Sequence, residues 1–353
     1  MRRLFPAHAL ALATVALCLG GLALPAQSGP LRDWVARHRA GQAEAKAESK
    51  AEQRGDAKGD PTAEPSQAGT APTDDEDAPR AEADTLKHLP KGTQRIADVP
   101  YGSDAAQRFD VYRPQNAKNA PVIFLVHGGG WRHGSKSARH VVQNKVAHWV
   151  GRGLIVVSTD YRLLPDADPL EQARDVAQAL TTAQAKASDW GGDAHQFVLM
   201  GHSAGAHLVA LINASPVIAT GLGAKPWLGT VSLDSAALNV VSVMEAKHLR
   251  LYDRAFGSDP GFWQATSPWH QVSKGSAPLL AVCSTSRKDS CPQAEQYRDK
   301  ARSLSNRAAV LPQPLSHSEI NDRLGLPGAY TQAVDAFLRG LSPELTRALE
   351  GDR

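Results

Sequence analysis

Gly201-His202-Ser203-Ala204-Gly205 follows an apolar run, Phe197-Val198-Leu199-Met200, and leads into small and apolar residues from Ala206 to Asn213. The pattern predicts a strand, a tight turn and a helix, with Ser203 at the turn. A serine hydroxyl stands clear of the backbone only on such a turn. The flanking glycines leave room for it and let the helix pack close to the strand. The competing reading is a glycine-rich β-to-α connection with an idle serine, since a pattern this short recurs by chance.

A second stretch upstream decides between them. Val122-Ile123-Phe124-Leu125-Val126 runs into His127-Gly128-Gly129-Gly130-Trp131. An apolar strand ending in HGGG is the loop that, with the amide after a nucleophilic serine, forms an oxyanion hole. A phosphate cradle is the alternative, because Gly129 to Gly134 has P-loop spacing. Ser135 stands where that motif needs lysine, and Lys136 comes one place late, so nucleotide binding is set aside.

With these motifs in place the chain resembles the α/β-hydrolase serine esterases of the acetyl-esterase and feruloyl-esterase (BD-FAE-like) type. That group is related to kynurenine formamidases and, more distantly, to hormone-sensitive-lipase-like esterases. HGGGW, Asp160 to Pro165 (DYRLLP), Gly201 to His207 (GHSAGAH) and His317 to Asn321 (HSEIN) carry the resemblance, over roughly residues 96 to 342. The hormone-sensitive-lipase branch usually has an acidic residue before the serine. Here that place is His202, which favours the first group.

The chain of 353 residues has room for one large domain and extra segments. Arg2 and Arg3 precede an apolar run to about Leu24, and Leu24-Pro25-Ala26 offers a small residue for cleavage, so residues 1–26 read as a signal peptide. This predicts a periplasmic or secreted enzyme. Membrane contact arises only if the segment stays uncleaved or is lipidated at Cys18. Residues 27–94, rich in Ala, Glu, Lys and Pro, bury too little apolar surface to order themselves and read as a linker. Lys and Arg number 39 against 36 Asp and Glu, which gives no electrostatic case for a nucleic-acid partner. The expected partner is a small-molecule ester; the oligomeric state is left open.

From residue 95 to 342 strand-like and helical stretches alternate. Ile96, Val99 and Tyr101, then Phe109 to Tyr112, predict two half-buried strands. Residues 121–126, 154–158, 197–200, 228–233 and 278–282 predict buried strands and 309–311 a final strand, with helices over 137–150, 169–187, 206–213 and 292–307. The expectation is an α/β-hydrolase fold, a mainly parallel doubly wound sheet with its ligand site at the carboxyl ends of the strands. Residues from about 236 to 271 interrupt the alternation. Their aromatics Tyr252, Phe256, Phe262, Trp263 and Trp269 predict a small cap over the pocket. Residues 343–353 read as a C-terminal tail.

Serine hydrolysis needs a base and a carboxylate that orients it, in the chain order Ser, acid, His. The histidines after Ser203 are His207, on the nucleophile helix, His248 and His270, in the cap, and His317. Only His317 follows the strand that should carry the acid. Asp234, Asp253, Asp259, Asp289, Glu295 and Asp299 lie between. The resemblance implies Asp289, in the loop after residues 281–282, with Asp234 as runner-up because some α/β-hydrolases place the acid there. The backbone amides of Ala204 and of Gly128 or Gly129 are the oxyanion donors, and Trp131 and His202 are expected to line the substrate pocket. No HExxH, paired CxxC or clustered ligand set occurs, so neither metal nor cofactor is expected, and His133, His140 and His148 read as surface residues. Removal of Cys18 leaves Cys283 and Cys291, an even pair predicted to form a disulfide in an oxidising compartment and to hold the Asp289 loop. The function expected is an exported serine carboxylesterase. An arylformamidase or amidase of the same fold is the alternative, and a hydrolase fold that binds without chemistry a more distant one.

Overall fold

A computed structural model describes residues 89–350. The expected signal peptide, Cys18, most of the linker and the last three residues lie outside the described residues.

An eight-stranded sheet has the order β1-β2-β4-β3-β5-β6-β7-β8. β1 (Thr93–Pro100) and β2 (Arg108–Pro114) form an antiparallel hairpin, and β2 also pairs antiparallel with β4 (Ile155–Thr159). β3 (Ala120–Val126), β4, β5 (Gly192–His202), β6 (Gly229–Leu233), β7 (Leu279–Ser284) and β8 (Ala308–Gln313) run parallel. Every residue of β3, β4, β6 and β7 is buried. Their continuous apolar runs reflect a sheet covered on both faces. Thr93 and Gln94, expected in the linker, pair instead with Pro114 and Arg113 at the start of β1.

On one face α1 (Arg139–Val150) brings Val142, Val146 and Trp149 onto Ile123, Val156, Val198 and Val282. On the other lie α2 (Pro169–Lys186) and α3 (Ala204–Ala214). α2 starts where the sequence requires: Asp168 accepts from the amides of Leu170 and Glu171, the Glu171 side chain caps in return, and Pro169 occupies the first turn. A single turn, α4 (Val217–Thr220), follows α3. The cap is four short helices: α5 (Val240–Glu245), α6 (Arg250–Phe256), α7 (Pro260–Ala265) and α8 (Pro268–Gln271). α9 (Ser290–Ser303) packs Ala294, Tyr297 and Ala301 against β7.

Three helices close the chain: α10 (His317–Asp322), α11 (Ala329–Arg339) and α12 (Pro343–Glu350). α12 corrects the expectation of a tail. Leu345 and Leu349, one turn apart, form an apolar stripe that is buried in the same core as Val334 and Leu338 of α11. Leu345→Ala is therefore expected to lower the unfolding free energy by about 2 to 5 kcal/mol, measured by urea denaturation. An unchanged midpoint would mean that α12 contributes nothing to the fold.

Candidate active site

The turn between β5 and α3 holds Ser203 at φ 54°, ψ −117°. Its amide donates to the Leu233 carbonyl at 2.9 Å, which fixes the elbow against β6. A Cβ on Gly201 would lie 2.3 Å from the Gly205 carbonyl oxygen, and one on Gly205 would lie 2.3 Å from the Val126 and His127 carbonyl oxygens. Both glycines of the pentapeptide are thus demanded by close backbone approach.

The HGGGW loop lies directly against this elbow. A Cβ on Gly128 would stand 2.9 Å from Ser203 Cβ, so the loop backbone reaches Ser203 itself. Gly129 and Gly130 have φ of 118° and 60°, and Trp131, which has no such licence, has 61°. The Trp131 carbonyl accepts from the Gln172 side chain at 2.8 Å and from the Leu164 amide at 2.9 Å, which holds it there. DYRLLP braces the same loop. Tyr161 stacks on His127 with ring centroids 4.5 Å apart and donates its hydroxyl to the His127 carbonyl at 2.9 Å. Asp160 accepts from the Lys136 amide at 2.6 Å, and Arg162 forms a two-pronged pair with Asp175 at 2.8 and 2.7 Å.

His317, at the start of α10, places Nε2 3.0 Å from Ser203 Oγ. α10 is held by a capping box between Ser316 and Glu319. Buried Lys145 on α1 also donates to the Asn321 carbonyl at 2.7 Å, and Asn321 donates back to the His140 carbonyl at 2.8 Å. Burial pushes the Lys145 ammonium down to about 7, against an opposing pull from Asp322. His148, expected at the surface, is mostly buried and sits 2.7 Å from Asp335.

The carboxylate on His317 is Asp234, whose Oδ2 lies 2.6 Å from Nδ1. This corrects the choice of Asp289. Asp234 follows β6 immediately, at φ 56°, with no exposed side-chain surface. Oδ1 accepts from the Ser284 amide at 2.7 Å and from the Ser290 hydroxyl, and Oδ2 also accepts from Arg287 Nη1 at 2.8 Å. Burial pushes the carboxyl up, but the bonds from His317, Ser290, Ser284 and Arg287 outweigh it and hold it well below the usual carboxylate range. Asp289 has just over half its side-chain surface exposed, at the start of α9, and the Arg287 guanidinium is 3.3 Å from it. The chain turns into α9 at this point, so Ser290 faces inward to Asp234 and Asp289 faces out.

Cys283 and Cys291 are joined by a disulfide. It links the end of β7 to the first turn of α9, and so fastens Ser290 and Arg287 beside Asp234 in place of the expected support for Asp289.

His202 donates from Nε2 to the His317 carbonyl at 3.0 Å, its ring centroid 4.6 Å from that of His317. Burial and the neighbouring His317 push it down to about 3. Trp131 is buried, with Phe256 and Tyr252 of the cap at 5.0 and 5.9 Å. Trp131 Nε1 donates to His207 Nδ1 at 3.2 Å, and His207 Nε2–H donates to the Thr266 carbonyl at 2.7 Å. This chain fixes a neutral tautomer and joins oxyanion loop, nucleophile helix and cap. Composition offers no signal for it; the buried contacts of His207 bring it out. Among the described residues no group of three or more His, Cys, Asp or Glu is placed to hold a metal, and no helix is long and apolar enough to cross a membrane.

A serine on a strained elbow, a histidine on its hydroxyl, a buried acid on that histidine and a parallel sheet beneath are the α/β-hydrolase fold, and the comparisons with known proteins agree on that fold. Residues 109–219 match the family described as BD-FAE. Over 116 residues the chain is 38% identical to esterase LipC of Mycobacterium tuberculosis, covering 32% of this chain and 28% of that protein. Over 121 residues it is 31% identical to kynurenine formamidase of Danio rerio, covering 34% and 39%. The match thus spans well under half the length of either curated relative. The crystal structure of esterase B from Lactobacillus Rhamnosis superposes with a TM-score of 0.59 at 20% identity, covering 78% of this chain and 94% of that one. The chain has the α/β-hydrolase fold, and over residues 109–219 it is similar to the BD-FAE family.

Asp234→Asn is expected to lower kcat about 10⁴-fold on p-nitrophenyl acetate, while Asp289→Asn keeps most of the plateau rate; the reverse ranking would return the acid to Asp289. A second expectation concerns acid stability. Burial, opposed by the Thr266 carbonyl, pushes His207 down to about 4, whereas in the unfolded chain it titrates at about 6.5. Between these values the unfolded state binds more protons, so stability present above about 6.5 is lost as pH falls toward about 4. His207→Gln removes this contribution, on the order of 3 kcal/mol, leaving that of His202. Urea midpoints that fall equally from pH 7 to pH 4.5 in both proteins would show that His207 is not the linked group.

Proposed function

We propose that the protein is an exported serine carboxylesterase for small or aryl esters, working through an acyl-enzyme at Ser203. The observation that carries this reading is the unbroken relay from Ser203 Oγ to His317 Nε2 and from Nδ1 to Asp234. His317 takes the serine proton as Oγ attacks the ester carbonyl, and then protonates the leaving alcohol. Water resolves the acyl-enzyme by the same route. Asp234 keeps the proton on Nδ1, so that Nε2 is bare toward Ser203, and offsets the charge of the imidazolium. The amides of Ala204 and of Gly128 or Gly129 receive the oxyanion; the close packing of Gly128 on Ser203 supports this assignment.

The export part of the proposal rests on the sequence of residues 1–26, and the Cys283–Cys291 disulfide is compatible with it. Formamide hydrolysis is the second reading, favoured by the similarity to kynurenine formamidase. A tetrahedral oxyanion forms in both reactions, so the relay serves either.

An organophosphonate is expected to label Ser203 once, and Ser203→Ala to abolish both labelling and hydrolysis. Specificity constants on p-nitrophenyl acyl esters, feruloyl esters and N-formylkynurenine are expected to favour esters. A label elsewhere in an active preparation overturns the serine mechanism. A formamide preference by orders of magnitude overturns the carboxylesterase.

A further inference from the structure

Nδ1 of His317 has two neighbours that want opposite things of it. Asp234 Oδ2, at 2.6 Å, accepts a hydrogen bond and favours a proton on Nδ1. Arg287 Nη1, at 2.9 Å, carries only hydrogens and can bond Nδ1 only where that nitrogen is bare. If the proton is on Nδ1, Nε2 is bare toward Ser203 and can take its proton. If Nδ1 instead accepts from Arg287, the proton sits on Nε2 and the base is blocked. Once the imidazolium forms, the guanidinium also faces a like charge.

Arg287 is itself held between two acids. Nη1 bonds Asp234 Oδ2 at 2.8 Å and the Asp234 carbonyl at 3.3 Å, while Nη2 is 3.3 Å from Asp289 Oδ2. We infer that Arg287 is a positioning residue that competes with Asp234 for His317 Nδ1 and sets the pH at which the site turns on, with Asp289 drawing it away. The inference rests on the Ser203, His317 and Asp234 reading.

The other groups around His317 do not duplicate this role. His202, at the end of β5, faces the ring but spends its Nε2 proton on the His317 carbonyl. Tyr252 of α6 hydrogen-bonds Arg287 and lies within electrostatic reach of Asp234 and Asp289. Lys145 of α1 meets α10 at the Asn321 carbonyl, and near Asp322. Glu319, on α10 itself, pairs with Arg323 at 2.6 Å. Among the described residues Arg287 is the cation at Nδ1 of His317, the nitrogen away from Ser203.

The test is the pH dependence of kcat/KM for wild type, Arg287→Met, Arg287→Lys and Asp289→Asn. Arg287→Met removes the like charge and the competing donor, so the acid limb is expected to move to higher pH by about 0.5 to 1 unit. Arg287→Lys keeps the charge and leaves the limb near its wild-type place. Asp289→Asn releases Arg287 toward His317 and moves the limb to lower pH. A limb unmoved or lowered in Arg287→Met, or moved equally by Arg287→Lys, overturns the inference. If Arg287→Met does not fold, Asp289→Asn decides: no shift, or a shift upward, overturns it. Organophosphonate labelling of each variant separates the two levels. An active variant unlabelled at Ser203 removes the serine reading, whereas a labelled Ser203 with an unmoved limb removes Arg287 alone.

Discussion

A carboxylate with no exposed surface organises the active site. An isolated charge as buried as that of Asp234 is strongly unfavourable, so it needs donors at its lone pairs. The chain supplies them from four places: His317 at the start of α10, the Ser284 amide at the end of β7, Arg287 in the loop beyond it, and the Ser290 hydroxyl in the first turn of α9. Satisfying one group therefore draws the ends of three elements and a loop to the carboxyl end of β6. Because Asp234 itself donates its amide to the Val282 carbonyl at 2.8 Å, the acid is also tied into the backbone between β6 and β7. The contact of His317 with Ser203 depends on this anchorage, since the ring has its other nitrogen committed to Asp234.

The second constraint is steric. Gly128, Gly201 and Gly205 bring the oxyanion loop and the nucleophile elbow into backbone contact, closer than any side chain permits. Close approach alone does not hold two loops in register. Tyr161 and Asp160 grip the HGGGW loop from the side of β4, and the chain Trp131 to His207 to Thr266 grips it from the cap. The cap aromatics then have a definite role: Tyr252 and Phe256 cover Trp131, and the indole is buried between them and His207. Both grips run through buried hydrogen bonds, from the Tyr161 hydroxyl to the His127 carbonyl and from Trp131 through His207 to Thr266, which hold the HGGGW loop from two sides.

Much of this is legible in the sequence, for local reasons. Continuous apolar runs mark β3, β4, β6 and β7, and Pro169 marks the start of α2, within two positions, whereas β5 begins five residues before its apolar run; the glycine patterns mark Ser203 and its loop. His317 follows from chain order. The acid does not, because Asp234 and Asp289 both lie after Ser203 and before His317, and the choice depends on which one the fold leaves inside. Asp234 sits at the very end of the strand beside β5, whereas Asp289 is five residues beyond β7, far enough for the chain to turn it outward. The serines around the second candidate, Ser284 and Ser290, are the local trace of donors built for a buried acid, although they lie next to the wrong aspartate in sequence. α12 escapes notice for a related reason: its stripe is only Leu345 and Leu349, and its worth depends on a core made by distant segments.

The disulfide shows how the same residues support a different physical role. Cys283 and Cys291 are eight positions apart, so in the chain-entropy account the bridge closes a short loop, worth roughly 2 to 3 kcal/mol. Its effect on the site is local. Ser284 on β7 and His317 on α10 reach Asp234 without it, because neither lies within the bridged loop's free span between strand and helix. Arg287 lies in that span and Ser290 is the first residue of α9, so these are the two donors whose position depends on how α9 begins. The bridge therefore acts on the electrostatic surroundings of Asp234 more than on the relay itself. A covalent tie is suited to this task because Arg287 is poised between Asp234 and Asp289, and a guanidinium with two acids to choose from needs its backbone fixed if the balance between them is to be constant.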